Sequence, residues 1–176
     1  MKQLLVISAV GHDRPGLVHD LAKRILDCGG NVMESRMVAL GSEFAMLLLV
    51  SGNWHTLARL ESELGKRGPD DTLLVTVRRT EQRTVREDQL PYAVDVVCLD
   101  HAGIVSNLAG FFAARDIEIA ELTTRSYAAA HTGAPMFSVQ MSVNIPSRLH
   151  ISALREEFME FCDRLNLDAI IEPIKS

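Results

Sequence analysis

The sequence predicts an α+β protein made of two ferredoxin-like βαββαβ domains, each with an antiparallel four-stranded sheet and its helices on one face. Three observations support this prediction: an internal repeat, the same order of hydrophobic periodicities in both copies, and a polar segment between them. We expect the first domain at residues 1–80, a charged linker at 81–90 and the second domain at 91–176. The content of 47% apolar and 23% charged residues is typical of a folded globular chain.

The internal repeat is clearest at one short motif. Residues 13–18 align with residues 100–105 at a shift of 87 residues, and the apolar positions continue to agree over the following helix and strand. The shift grows to 93 residues where Phe44 aligns with Phe137, so six extra residues fall at 128–133 of the second copy. Self-similarity of this extent indicates two copies of one structural unit.

Each copy begins with a predicted strand that leads into a helix. The apolar runs at residues 4–10 and 92–99 are typical of buried strands. Apolar residues then recur at helical spacing, and Gly29 with Gly30 provides a stop signal in the first copy. The periodic positions are Leu17, Val18, Leu21, Ala22, Ile25 and Leu26 in the first copy, and Ile104, Val105, Leu108, Ala109 and Phe112 in the second.

A hairpin, a second helix and a last strand complete each copy. Gly41 with Ser42 forms a tight connection that favours a hairpin in the first copy. Leucine and phenylalanine spacing predicts the second helices, and the resulting order is the split βαβ topology, twice over. The predicted strands are 31–40, 43–51 and 73–77 in the first copy, and 117–127, 135–144 and 169–174 in the second.

The two hairpins differ in how apolar they are. Residues 44–50 are apolar on both faces of their strand, whereas residues 137–143 alternate between apolar and polar side chains. We therefore expect the far face or the edge of the first sheet to be covered by the second domain or by another subunit.

Charge and cysteine content exclude several classes of protein. The net charge of −5 falls on the residues from Gln89 onward, so we expect no direct nucleic-acid binding. The three cysteines are far apart in sequence, which predicts reduced buried thiols. The apolar run at the N-terminus is too short for a signal peptide or a membrane span, so we expect a cytoplasmic protein that does not bind membranes.

The turn at residues 11–17 is the segment with the most chemical information. Asp13 is placed to cap the helix that follows, and Gly16 has no side chain to block the free N–H groups at the helix start, where a carboxylate can dock. The second copy keeps the Asp-x-x-Gly spacing at residues 100–103, with Ala102 in place of proline. A purely structural helix cap is the alternative interpretation.

Catalysis and metal binding are not expected. His12 and His101 each stand beside an aspartate, but neither pair has a third ligand at a recognisable spacing. The chain also has no nucleophile elbow, P-loop or dinucleotide-binding fingerprint. We therefore predict a protein that is not an enzyme and holds no metal or cofactor.

Residues 10–18, followed by Asn31 and Val32 at the start of the next strand, resemble the beginning of an ACT domain. The string G-x-D-[RK]-P-G-[LI]-[VA] is characteristic of the ACT subgroup found in glycine cleavage repressors, formyltetrahydrofolate deformylase and bacterial phosphoserine phosphatase. Two copies without an attached catalytic domain are most similar to the glycine cleavage repressors. The alternative is a regulatory ACT module related to those of the deformylase or the phosphatase.

The resemblance implies an amino-acid-responsive transcriptional repressor that contacts a DNA-binding activator protein, with a small amino acid such as glycine relieving the repression. It implies ligand binding at interfaces between ACT domains, near the first strand-to-helix turn. The candidate ligand-binding residues carried over are His12, Asp13, Pro15, Gly16, Leu17 and Asn31 in the first copy, and Asp100, His101, Gly103 and Ile104 in the second.

The second copy departs from the pattern at Ala102 and at Glu118, which falls where Asn31 stands, so its site is expected to be degenerate. In the first copy we expect the ligand carboxylate at the amides of Gly16 and Leu17. The ammonium is expected at Asn31 or at backbone carbonyls of a facing domain. The sequence leaves open which amino acid binds, whether the site lies between domains or between subunits of a homo-oligomer, and which protein is the partner.

Overall fold

The computed structural model describes residues 3–66, 72–84, 86 and 88–174. Its contacts divide the chain into two compact units, Met1–Thr84 and Val85–Ser176. Within the described ranges, none of the helices has both the length and the apolar character needed to span a membrane.

The first unit is a four-stranded antiparallel sheet with the strand order β2-β3-β1-β4. Strand β1 is central and pairs with both β3 and β4. The elements are β1 (Gln3–His12), α1 (Leu17–Asp27), β2 (Asn31–Leu40), β3 (Glu43–Gly52), α2 (Trp54–Gly65) and β4 (Leu74–Thr80).

The second unit repeats this topology with the order β6-β7-β5-β8, which confirms the predicted tandem ferredoxin-like fold. Its first strand begins at Gln89, which pairs with Pro146, so the strand extends into the range 81–90 predicted as linker. The extents of linker and domains stay a prediction. The elements are β5 (Gln89–Leu99), α3 (Ile104–Ala113), β6 (Glu118–Ala128), β7 (Pro135–Pro146), α4 (Ile151–Arg164) and β8 (Asp168–Pro173).

Each unit buries its own core between the helices and one face of the sheet. In β1, Leu5, Ile7 and Ala9 are fully buried, as the two-residue period of a strand requires. The second core is more aromatic: the rings of Phe112 and Phe158 are both fully buried, with centroids 5.3 Å apart. Aromatic pairs of this kind stabilise a fold by more than the buried area alone accounts for.

The far face of the first sheet, away from the helices, is apolar where the sequence predicted it. Strand β3 directs Met46 and Leu48 into the core, and Leu47 between them points to the far face with half of its side chain exposed. Val10 and Leu74 lie on the same face and are also partly exposed. The expected cover over this face stays a prediction.

The end of α1 shows why two glycines stand there. Gly29 has φ 85° and donates to the carbonyl of Leu26 at 2.8 Å, while Gly30 donates to Ile25 at 2.9 Å. This is a Schellman motif, so the predicted stop signal is confirmed. In the second copy Asp116 takes the place of Gly29 with φ 56°.

We predict that Gly30→Ala destabilises the first domain by about 1–3 kcal/mol, because the core there is already full. An added Cβ would lie 2.9 Å from Cγ2 of Ile25 and 3.0 Å from Cγ1 of Val50. Urea unfolding followed by fluorescence reports on this domain, because the one tryptophan of the chain is Trp54, at the start of α2.

Gly65→Ala is the matched control within the same domain, because nothing lies within 4 Å of the Cβ that it would add. We expect its unfolding midpoint to equal or exceed that of the wild type. Equal midpoints for the two variants would contradict the close packing inferred at Gly30.

Candidate functional site

The first strand-to-helix turn is built around a glycine in the left-handed conformation. Gly16 is the N-cap of α1, with φ 86°, and its carbonyl accepts the first helical hydrogen bond, from the N–H of Asp20 at 2.9 Å. The N–H groups of Val18 and His19 precede that bond and are left for an outside acceptor. A helix start of this kind is a ready site for an anion.

The predicted capping role of Asp13 is wrong. Because Gly16 takes the N-cap position, Asp13 lies three residues ahead of the cap, and its side chain does not bond the helix amides that the structure describes. Its own N–H instead donates to the carbonyl of Ser42 at 3.0 Å, which joins the turn to the β2–β3 hairpin.

The turn encloses a shallow depression of about 220 Å³. The guanidinium of Arg14 borders it and holds the carboxylate of Asp20 at 2.8 Å. The Asp13 carboxylate also borders it and, among the described residues, accepts no hydrogen bond or ion pair. The depression therefore combines open amides, a cation and a free carboxylate. The lining residues are Asp13, Arg14, Gly16, Leu17, Val18, His19 and Phe44.

Three of the predicted ligand-binding residues of the first copy do not line this depression. His12 is exposed beside the turn, with Nδ1 3.7 Å from Oε1 of Glu43, and Pro15 directly precedes the N-cap. Asn31 pairs with Ser51 at the opposite end of the sheet. A ten-residue strand spans about 30 Å, so Asn31 and the turn of the same domain are not brought together.

The second turn has the same backbone. Gly103 is the N-cap of α3 with φ 93°, and its carbonyl accepts from the N–H of Asn107 at 2.9 Å. The N–H of Asp100 donates to Pro135 at 2.9 Å, as Asp13 does to Ser42. The side chain of Ile104, like that of Leu17 in the first copy, is buried in the core. At this position a ligand can therefore contact only the backbone.

The side chains of the second turn differ from those of the first. The Oδ2 atom of Asp100 accepts a hydrogen bond from Oγ of Ser126 at 3.0 Å. The Nδ1 atom of His101 lies 3.1 Å from the carbonyl of its neighbour Ala102. Glu118 pairs with Asn144 at the far end of the sheet, as Asn31 does with Ser51. Sequence analysis did not predict that Ser126 contacts Asp100. Under the 87-residue shift Ser126 aligns with Ala39, so the sequence does show that the two copies differ at this position.

A larger depression of about 590 Å³ lies at the other end of the first unit and includes Gln3, Met33 and Arg79. The guanidinium of Arg79 is already paired with the Glu61 carboxylate at 2.8 and 3.0 Å. This bond lowers the pKa of Glu61. The cation at this depression is therefore already neutralised by a carboxylate.

The three cysteines are poor candidates for covalent chemistry. Cys28, Cys98 and Cys162 are buried and unpaired, and burial raises the pKa of the Cys162 thiol to about 12. A thiol with so high a pKa is a poor nucleophile. Over the described ranges, no three His, Cys, Asp or Glu side chains come close enough to share a metal ion.

Comparisons with known proteins agree with this fold. A family model for the ACT domain matches residues 3–78. The glycine cleavage system transcriptional repressors of Escherichia coli (strain K12) and Shigella flexneri are each 30% identical over 170 residues, which is 97% of this chain and 90% of theirs.

Two crystal structures are similar to this structure over nearly the full length of both chains. One, of an unknown protein from Galdieria sulphuraria, has a TM-score of 0.82 and 28% identity, covering 99% of this chain and 100% of that one. The other, provisionally named a glycine cleavage system transcriptional repressor, has a TM-score of 0.74 and 29% identity, covering 100% and 99%. The chain therefore belongs to the ACT-domain family of the glycine cleavage system transcriptional repressors.

Proposed function

We propose that this protein is a cytoplasmic regulator without catalytic activity that represses expression of the glycine cleavage system by contacting a DNA-binding activator protein. A small amino acid such as glycine binds to it and relieves the repression. The observation that carries this proposal is the 30% identity to repressors over 97% of the chain. The net charge of −5 supports action through a protein partner rather than on DNA itself.

The first turn is the proposed ligand site, because its groups match both ends of an amino acid. The ligand carboxylate accepts from the open N–H groups of Val18 and His19, two residues further along than the sequence suggested, and the Arg14 guanidinium adds positive charge. The N–H of Leu17 is partly engaged, since it lies 3.4 Å from the carbonyl of Arg14. The ligand ammonium does not reach Asn31 of the same domain.

Ligand binding regulates only if the protein has two states that bind the ligand with different affinity. The amides at the turn are tied to α1, and the N–H of Asp13 is tied to the β2–β3 hairpin through Ser42. A ligand that contacts both α1 and the β2–β3 hairpin therefore changes the position of these two elements relative to each other within the first domain. The proposed readout is a change in affinity for the activator.

We predict that glycine raises the melting temperature of the wild-type protein and gives a measurable heat of binding in calorimetry. A ligand at one hundred times its Kd stabilises the folded state by about 2.7 kcal/mol. Gly16→Ala should reduce both effects, because alanine at φ 86° costs about 1–2 kcal/mol and moves the amides as the backbone relaxes.

Gly29→Ala is the control for backbone strain. Gly29 has φ 85°, lies in the same domain at the other end of α1, and the nearest atom to an added Cβ, Oγ1 of Thr56, is 3.4 Å away. It should lose stability to a similar extent and keep the response to glycine. A wild-type protein that shows neither heat nor thermal shift with millimolar glycine would refute ligand binding.

We further predict that the immobilised full chain retains a DNA-binding protein from a lysate of its native cell, and that glycine releases it. The retained proteins are identified by mass spectrometry with and without glycine. Gly16→Ala should retain the same protein and no longer release it. Retention of a metabolic enzyme in its place would favour the alternative, a regulatory ACT module of that enzyme.

A further inference from the structure

We propose that the far face of the first sheet is the contact between two copies of this chain, related by a two-fold axis parallel to the strands. Residues paired across strands share a face, so the strand register gives this face as rows of side chains that cross the sheet. One row is apolar throughout and consists of Val38, Ala45, Val10 and Leu74. All of these side chains except Ala45 are exposed.

The rest of the far face has an apolar centre and charged edges. In the next row the central side chain of Leu47 is half exposed. The row after that has apolar residues on the two central strands and opposite charges at its ends. From β2 to β4 it consists of Glu34, Leu49, Val6 and Arg78. An apolar centre within a polar rim is the arrangement found in specific protein interfaces.

This face is complementary to itself. A two-fold axis parallel to the strands reverses the strand order and keeps the position along each strand, so β2 of one copy lies over β4 of the second copy. Glu34 of each copy then faces Arg78 of the other, and the apolar row lies on the same apolar row. Sheets packed face to face lie about 10 Å apart, within the combined reach of a glutamate and an arginine. Glu34 also lies 3.2 Å from Arg36 on its own strand, an exposed pair that is weak enough to be shared.

The size and the charge of the first domain both allow this contact. Four strands about 4.8 Å apart and four rows about 7 Å apart cover roughly 500 Å², so two copies bury roughly 1,000 Å², the lower bound for a specific interface. Residues 1–88 contain twelve Lys and Arg and twelve Asp and Glu, so two first domains do not repel each other through net charge.

The far face of the second sheet is not complementary to itself in this way. The row that corresponds to the charged row of the first sheet consists of Glu121, Ser142, Ala93 and Glu172. The same two-fold axis would place its two terminal glutamates against each other, and like charges in contact oppose association. Gln140 also stands where the first sheet has Leu47, under the 93-residue shift. The contact is therefore assigned to the first sheet.

The test is sedimentation velocity of the full chain across micromolar concentrations. We expect the wild type to sediment as two chains and Leu47→Lys to sediment as one, because the lysine ammonium would be buried in the apolar centre of the contact. Leu47 is half exposed in the single chain, so this variant should fold. Gln140→Lys is the matched control at the corresponding position of the second sheet, and it should sediment like the wild type.

Charge exchange supplies a second measurement. Arg78→Glu places like charges at two points of the contact and should raise the dissociation constant of the dimer by about tenfold or more. Combining it with Glu34→Arg makes the facing charges opposite again and should restore most of the affinity. Circular dichroism melting curves check that every variant is folded. A wild type that sediments as one chain at every concentration, or a dimer that neither Leu47→Lys nor Arg78→Glu weakens, would overturn this inference.

Discussion

The pairing of β1 with β3 is the constraint on which the candidate site depends. Because this register sets Gly11 against Phe44 and His12 against Glu43, the β2–β3 hairpin must lie beside the end of β1. The backbone bond from Asp13 to Ser42 then fixes the turn to that hairpin. A shift of one residue would turn the side chains of β3 to the other face and remove Phe44 from the depression.

The same register explains why Asn31 lies far from the turn. Strands β1 and β2 both run antiparallel to β3, so they start at the same end of the sheet, and the turn follows the end of β1. Any role for Asn31 at a turn therefore requires the turn of a different domain. The glycine cap adds a second constraint: a left-handed residue without a side chain closes the helix start while leaving its amides open.

Sequence analysis predicted the elements well because both periodicities are strong. Strand β2 was expected at residues 31–40 and is found there, and the glycine pair ends α1 as expected. The Asp13 cap was predicted wrongly because aspartate and glycine are both accepted at N-caps, and spacing alone does not decide which one takes the position. The bond between Asp100 and Ser126 spans 26 residues and depends on the register of β6 with β7, which no local pattern reveals.

The two copies share the backbone of the turn and differ in its side chains. The backbone of the turn is set by one glycine and one hairpin bond, and both are present twice. The hydrogen bonding of the aspartate carboxylate differs between the copies, because Ser126 donates to Asp100 and Ala39, at the corresponding position, has no hydroxyl. The side chains of the two turns therefore differ while their backbone stays the same. The second unit keeps an aromatic core of its own, and the net charge of −5 falls on the residues from Gln89 onward.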